Sequence, residues 1–195
     1  MTIGVFGGTF DPIHWGHLVL AQEAMNAAGL ERILFVPSAV PPHKQGRELT
    51  SWKHRMAMVR LAVDGIPGFE VSDVESDPGR PHYSLDTLER LAEHHPGDRL
   101  SFIIGSDSLL EMPGWRSPSA IVERWPLVVL ARPGFDAAPA TPAYTTNMTL
   151  VDGVQVTVSS TLIRRRLAGG QKVNFLLPDT VIEYARRNGL YGMKS

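Results

Sequence analysis

The chain has no cysteine among its 195 residues. A disulfide framework and a thiolate centre are therefore both excluded. An excess of one charge sign is lacking as well, because 19 basic residues face 20 acidic ones and the formal net charge is −1. This balance argues against a nucleic-acid partner held by a generally basic surface, and a hydrophobic content of 43% argues against a disordered chain.

Long apolar runs are also missing. No run approaches the roughly 18 residues that span a bilayer, and the first strand pattern begins at Thr2 without the basic and apolar regions of a secretory signal. We therefore expect a cytoplasmic protein with no membrane partner. The length suits one well-cored domain, so we predict a single domain over residues 1–195.

Strand and helix patterns alternate along the chain. Short apolar runs predict strands at residues 2–6, 32–36, 69–71, 100–104 and 127–130. Apolar residues at helical spacing predict helices at residues 18–28, after Thr50 or Ser51, at residues 85–92, and from Pro178 to Asn188. This order is typical of a doubly wound α/β fold, in which ligands bind beyond the carboxyl ends of parallel strands. Residues 133–147 show no periodicity and are predicted to form a surface loop.

The first chemical motif follows the first strand, where residues 7–17 read Gly-Gly-Thr-Phe-Asp-Pro-Ile-His-Trp-Gly-His. Glycines let the backbone approach an anion, and the helix that follows offers unpaired N–H groups, so the segment predicts a phosphate cradle. His14 and His17 can add donors at its rim. Their use as zinc ligands is disfavoured, because the chain has neither cysteine nor an H-E-x-x-H pattern.

A second phosphate motif occurs late in the chain, where residues 158–164 read Val-Ser-Ser-Thr-Leu-Ile-Arg. The hydroxyls of Ser159, Ser160 and Thr161 can cap a helix and bind phosphate oxygens, and Arg164 follows one turn later. The alternative is an ordinary cap followed by a solvated charged face. Because a first phosphate loop is present, we favour an anion-binding role for Arg164 and treat Arg165 and Arg166 as surface residues.

Both motifs resemble the signatures of the H-x-G-H nucleotidylyltransferase superfamily, whose second signature has isoleucine where Val158 stands here. In its expanded form the first motif resembles that of the bacterial nicotinate mononucleotide adenylyltransferases. The resemblance implies a Rossmann-like fold and transfer of the adenylyl group of ATP to nicotinate mononucleotide in NAD biosynthesis. It also implies Mg²⁺ carried by the ATP phosphates, for which we name no protein ligand.

Further elements carry the resemblance along the chain. Pro41-Pro42-His43-Lys44 is similar to the family's P-P-H-K loop, and Arg132-Pro133-Gly134 to another phosphate element. Gly105 and Asp107 close the most apolar strand, where a small residue and a carboxylate suit a ribose. On spacing alone, Ser106 or Asp107 could equally cap a helix.

The resemblance assigns the site residues as follows. Catalysis falls to His14, His17, Lys44 and Arg164. ATP binding falls to Gly7, Gly8, Thr9, Phe10, His14, His17, Gly105, Asp107, Arg132, Ser159, Ser160, Thr161 and Arg164. Acceptor binding falls to Thr9, Lys44, Ser84, Thr87, Trp115 and Arg116.

Trp115 narrows the choice of acceptor substrate. It lies in the turn Met112-Pro113-Gly114-Trp115-Arg116 rather than on a periodic apolar face, which favours a ligand-stacking role over a core role. Structural roles are assigned to Trp15, Trp52 and Trp125.

Three functional alternatives stay open. Relatives that act on nicotinamide mononucleotide or another phosphorylated acceptor share the phosphate motifs, and a non-catalytic nucleotide sensor would share them too. The oligomeric state is also open, a homo-oligomer included.

Overall fold

Six parallel strands form one sheet in the order β3-β2-β1-β4-β5-β6. The protein is seen in a computed structural model that describes residues 1–39, 49–77, 79, 82–131, 142–154 and 156–194. The strands are β1 Thr2–Gly8, β2 Arg32–Pro37, β3 Phe69–Val71, β4 Arg99–Gly105, β5 Leu127–Leu130 and β6 Met148–Val151.

Helices follow most of the strands. They are α1 Trp15–Ala28, α2 Trp52–Val63, α3 Ser84–His94, α4 Ser106–Glu111, α5 Pro118–Arg124, α6 Pro142–Thr145, α7 Ser160–Ala168 and α8 Asp179–Arg187, with short 3-10 helices at Met112–Gly114 and Leu190–Gly192. The predicted helix boundaries at Ser51 and Gly29 are confirmed. The Ser51 hydroxyl accepts from the His54 N–H at 3.4 Å, and Gly29 ends α1 with a left-handed φ of 60°.

Both faces of the sheet are covered, because successive strand residues point to opposite sides. Phe6 packs in a core with α1, α2, α7 and α8, whereas Val5 packs in a second core with α3, α4 and α5. The predicted doubly wound α/β fold is confirmed. Within the described ranges, no helix is long and apolar enough to cross a bilayer.

The strand order reverses between β1 and β4. The chain builds outward from β1 through β2 to β3, then crosses to β4 on the other side of β1. In such sheets the crevice lies where the order reverses, at the carboxyl ends of the two central strands. Here those ends are Gly8 and Gly105.

Three sequence predictions were wrong or incomplete. Strand β6 was not predicted, and residues 142–145 of the predicted loop form the short helix α6, while residues 133–141 lie outside the described part. The structural role given to Trp15 was wrong, since that side chain is 42% exposed. Trp125 is buried and the Trp52 indole donates to the Pro37 carbonyl at 2.8 Å, as structural roles require.

Candidate active site

The loop between β1 and α1 brings the two motif histidines together. His14 is the N-cap of α1, and its main-chain N–H donates to His17 Nδ1 at 3.2 Å. The two rings stack with centroids 3.7 Å apart and an interplanar angle of 19°. Because Nδ1 of His17 accepts this bond, its neutral ring carries the proton on Nε2, and that N–H can donate to a phosphate oxygen.

The two histidines differ in burial, because His14 is buried whereas His17 is partly exposed. His14 is only 4% exposed, and desolvation lowers its pKa from the ordinary 6.5 to about 4. The ring is therefore neutral near neutral pH in the protein alone. A bound polyphosphate would have to offset this burial before the His14 ring could take up a proton.

The lowered pKa of His14 predicts acid sensitivity. The unfolded chain binds a proton at His14 below about pH 6.5 while the folded chain resists it, so stability from this residue is present above that pH and is lost as pH falls toward about 4. The loss amounts to about 3 kcal/mol of the free energy of unfolding. Urea unfolding of the wild type and of His14→Asn at both pH values measures it. An equally steep pH dependence in the variant would contradict the assignment.

The second motif packs directly against the first loop. Ser159 caps α7 by accepting from the Leu162 N–H at 3.2 Å, and the Ser160 hydroxyl donates to the Pro12 carbonyl at 2.9 Å. Arg164 donates from Nη1 to the Asp11 carbonyl at 2.6 Å and from Nη2 to the Thr161 hydroxyl at 3.4 Å. Two motifs about 150 residues apart in sequence are thereby joined.

These contacts refine the roles predicted for the three hydroxyls. Ser159 and Ser160 each use a hydroxyl to cap α7 or to tie it to the first loop. Because the Leu162 N–H is used by the Ser159 cap, the N–H groups of Ser160 and Thr161 are the first-turn donors of α7 that can meet a phosphate.

A cavity of about 610 Å³ lies between these elements. Of the residues predicted to bind ATP, it is lined by Thr9, Phe10, His14, His17, Gly105, Ser159, Ser160, Thr161 and Arg164. Phe10 itself is 2% exposed and packs edge-on against the His17 ring, so most of its side chain supports the wall from the core. Asp107 is exposed in the first turn of α4, whose N-cap is Gly105 rather than Ser106 or Asp107.

A second cavity of about 260 Å³ adjoins the first. The predicted acceptor residues Thr9, Ser84, Thr87 and Trp115 line it, as do Gly7 and Gly8, which were predicted to bind ATP. Phe6, Thr9 and Gly105 line both cavities. The two chambers therefore meet at the carboxyl ends of β1 and β4.

Two predicted site residues within the described structure, Asp107 and Arg116, line neither cavity. Arg116 is exposed, lies 4.9 Å above the Tyr83 ring and pairs with Asp86 at 3.4 Å. Lys44 and Arg132 fall outside the described residues.

Sequence reasoning missed a buried carboxylate beside the acceptor cavity and a half-buried tyrosine beside the first loop. Glu75 lines the second cavity, its carboxylate accepts from the Thr87 hydroxyl at 2.7 Å, and burial raises its pKa. The Tyr191 hydroxyl donates to Asp11 Oδ1 at 2.7 Å, and burial likewise raises the pKa of Tyr191. Neither residue had a local sequence signal, because each acts on a residue distant in the chain.

A third missed residue is Arg55, which lies on α2 and is 1% exposed. The sequence contains a signal that could have identified Arg55. Apolar residues follow it at the helical intervals of three, four and seven, and these residues, Met58, Val59 and Ala62, are all buried. An arginine in phase with such a face is buried with its partners.

Comparison with known proteins places this geometry among nucleotidyltransferases. Residues 5–166 match the cytidylyltransferase-like family. The chain is 39% identical over 189 residues to the nicotinate-nucleotide adenylyltransferase of Bacillus subtilis, with 97% of each chain covered.

Solved structures agree in fold. Plasmodium falciparum nicotinic acid mononucleotide adenylyltransferase complexed with APC superposes with a TM-score of 0.81, at 20% identity and with 99% of this chain and 98% of that chain covered. The same protein complexed with NaAD superposes with a TM-score of 0.80, at 20% identity and with the same coverage.

Proposed function

This chain belongs to the cytidylyltransferase-like family and, within it, to the nicotinate-nucleotide adenylyltransferases, and on that premise we propose that it transfers the adenylyl group of ATP to nicotinate mononucleotide. The products are nicotinate adenine dinucleotide and pyrophosphate, and the reaction belongs to NAD biosynthesis. A cytoplasmic location stays a prediction, and the oligomeric state stays open.

The observation that carries this proposal is the pair of adjoining cavities. One is rimmed by the stacked histidines, the first turn of α7 and Arg164, which are groups that donate to phosphate. The other is flanked by an aromatic ring and the start of α3. A nucleoside triphosphate in the first and a pyridine nucleotide in the second would bring their phosphates together beside Thr9 and Gly105.

For this reaction the protein has to align the two substrates and to stabilise the charge on the leaving pyrophosphate. An oxygen of the acceptor phosphate bonds to the α-phosphorus of ATP while the bond from that phosphorus to the bridging oxygen breaks, and pyrophosphate leaves with the electron pair. Both reacting groups belong to the substrates, so no protein nucleophile is needed. His14, His17 and Arg164 line the larger cavity, where they would donate to the charge that grows on the leaving group, and the same role for Lys44 stays a prediction.

The second cavity supports a flat, anionic acceptor. Trp115 is half-buried there and offers a ring face for a pyridine. Helix α3 begins at Ser84 with eleven residues, and its first turn contributes Ser84 and Thr87 to the lining. The positive end of its dipole favours a carboxylate over a neutral amide, which supports nicotinate over nicotinamide mononucleotide.

The donor set also bears on Mg²⁺. Asp11 is the one carboxylate that lines the larger cavity within the described ranges, and its Oδ1 already accepts from Tyr191. No group of three or more His, Cys, Asp or Glu side chains that could hold a metal is found in the part of the chain that the structure describes. These residues fit an ion that arrives coordinated by the triphosphate, where it would neutralise phosphate charge.

The function is tested by incubating the protein with Mg-ATP and each acceptor in turn while pyrophosphate release is measured. We expect turnover with nicotinate mononucleotide and slower turnover with nicotinamide mononucleotide, phosphopantetheine and glycerol phosphate. Faster turnover with another acceptor would reassign the substrate. Tight ATP binding without pyrophosphate from any acceptor would identify a nucleotide sensor instead.

Trp115→Ala should weaken acceptor binding selectively. Loss of the stacking face should raise the KM for nicotinate mononucleotide by about tenfold or more while the KM for ATP changes by less than about threefold. Steady-state kinetics with each substrate varied in turn measures both values. Phe175→Ala, which removes an aromatic ring that is 94% exposed, serves as the matched control. A selective rise in the KM for ATP would contradict the role given to Trp115.

A further inference from the structure

The deepest buried charge near the site belongs to Arg55, which the chemistry described so far does not use. Each of its three guanidinium nitrogens donates to a main-chain carbonyl: Nη1 to Thr9 at 2.7 Å, Nε to Thr50 at 2.9 Å and Nη2 to Ala39 at 3.2 Å. The three acceptors belong to two connections, because Thr9 follows β1 whereas Ala39 and Thr50 lie at the two ends of the connection between β2 and α2.

We propose that Arg55 is a positioning residue for adenylyl transfer, because it fixes the main chain of Thr9 at the junction of the two cavities. This inference rests on the proposed function. It gives Arg55 the role of fixing the main chain where the two substrates meet.

The location of Thr9 supports this role. Thr9 lines both cavities, and the next residue, Phe10, has a left-handed φ of 47°. A bulky residue in that region is strained and persists only where its surroundings hold it. The bond from Arg55 to the Thr9 carbonyl acts on the peptide group that enters this conformation, and the Phe10 ring packs beneath His17.

Stability alone does not account for a guanidinium at this place. Burial lowers the pKa of Arg55, and the negative charge of Asp11 opposes that effect. Burying a charge is costly even when it is paired, and an apolar side chain of similar size is often as stabilising. An apolar side chain cannot hydrogen-bond to three carbonyls. Lysine has a single donor nitrogen, so it cannot hold the three carbonyls in the plane that the guanidinium group fixes.

The test compares Arg55→Lys and Arg55→Met with Arg60→Met, an exposed arginine on the same helix. Kinetics are measured well below the melting temperature of each variant, with ATP binding by calorimetry used to count folded sites. We expect kcat to fall about tenfold in Arg55→Lys and about thirtyfold or more in Arg55→Met, with both KM values within about threefold of wild type. Arg60→Met should match the wild type.

The outcomes are distinguishable. If the folded variants keep kcat within about threefold of wild type, or if the loss only follows the number of folded sites, the positioning role is wrong. If Arg55→Met does not fold, Arg55→Lys carries the test, because it keeps the buried charge but concentrates its donors on a single nitrogen. Absence of turnover in the wild type itself would refute the proposed function rather than the role of Arg55.

Discussion

His17→Ala should fold like the wild type and lose about a hundredfold or more in kcat. The ring is partly exposed to the larger cavity, stacks on His14 and rests on Phe10 at a centroid distance of 5.0 Å, so its orientation is fixed before substrate binds. A preorganised donor has its largest effect where charge develops, and here that is the departing pyrophosphate. The loss should therefore fall on kcat and on kcat/KM alike.

The measurement is steady-state pyrophosphate release with both substrates varied, and thermal unfolding establishes that the variant is folded. His94→Ala, which removes an exposed imidazole on α3, is the matched control and should behave as wild type. An unchanged kcat with a raised KM for ATP would show that His17 binds the ground state and the transition state equally. That result would leave His14 and Arg164 as the sources of selective stabilisation among the described groups.

Local signals explain why so much of the fold was predictable. The central strands are continuous apolar runs, and α1 is bounded by the histidine motif and by Gly29, so both were recognisable from neighbouring residues alone. Strand β6 was missed for a physical reason. It has four residues at the edge of the sheet, and Leu150 is 43% exposed, so neither a buried run nor a regular alternation marks it.

The residues of the candidate site also differ in how well the sequence predicts them. Ligand-facing groups such as His17 and Arg164 belong to compact motifs that can be recognised in isolation. Groups that hold those motifs in place are encoded by pairing across the chain, as Tyr191 and Asp11 are at a separation of 180 residues. A local pattern can show that such a residue is buried, as it does for Arg55, but the partner that the residue binds becomes visible only in the fold.

Gly16→Ala should separate activity from stability at the first motif. Gly16 is buried in the first turn of α1, where its backbone is helical and alanine is favoured over glycine by about 1 kcal/mol. A Cβ at this position would nevertheless lie 2.9 Å from His14 Nδ1 and 3.1 Å from Val156 Cγ1. Because the helix has no reason to move, the His14 ring must give way, and its stack on His17 must change with it.

We therefore expect Gly16→Ala to unfold at a free energy within about 1 kcal/mol of wild type, since the propensity gain offsets the local clash. Its kcat should fall by about thirtyfold or more, because a displacement of a fraction of an ångström takes the His14 and His17 rings out of the positions from which they donate to the substrate phosphates. Gly169→Ala is the control, as its added Cβ would meet its nearest neighbour at an ordinary 3.5 Å and it lies at the far end of α7. Wild-type kcat in Gly16→Ala would mean that the stacked arrangement of the two rings is not what catalysis requires, and the role of His17 would then have to be independent of His14.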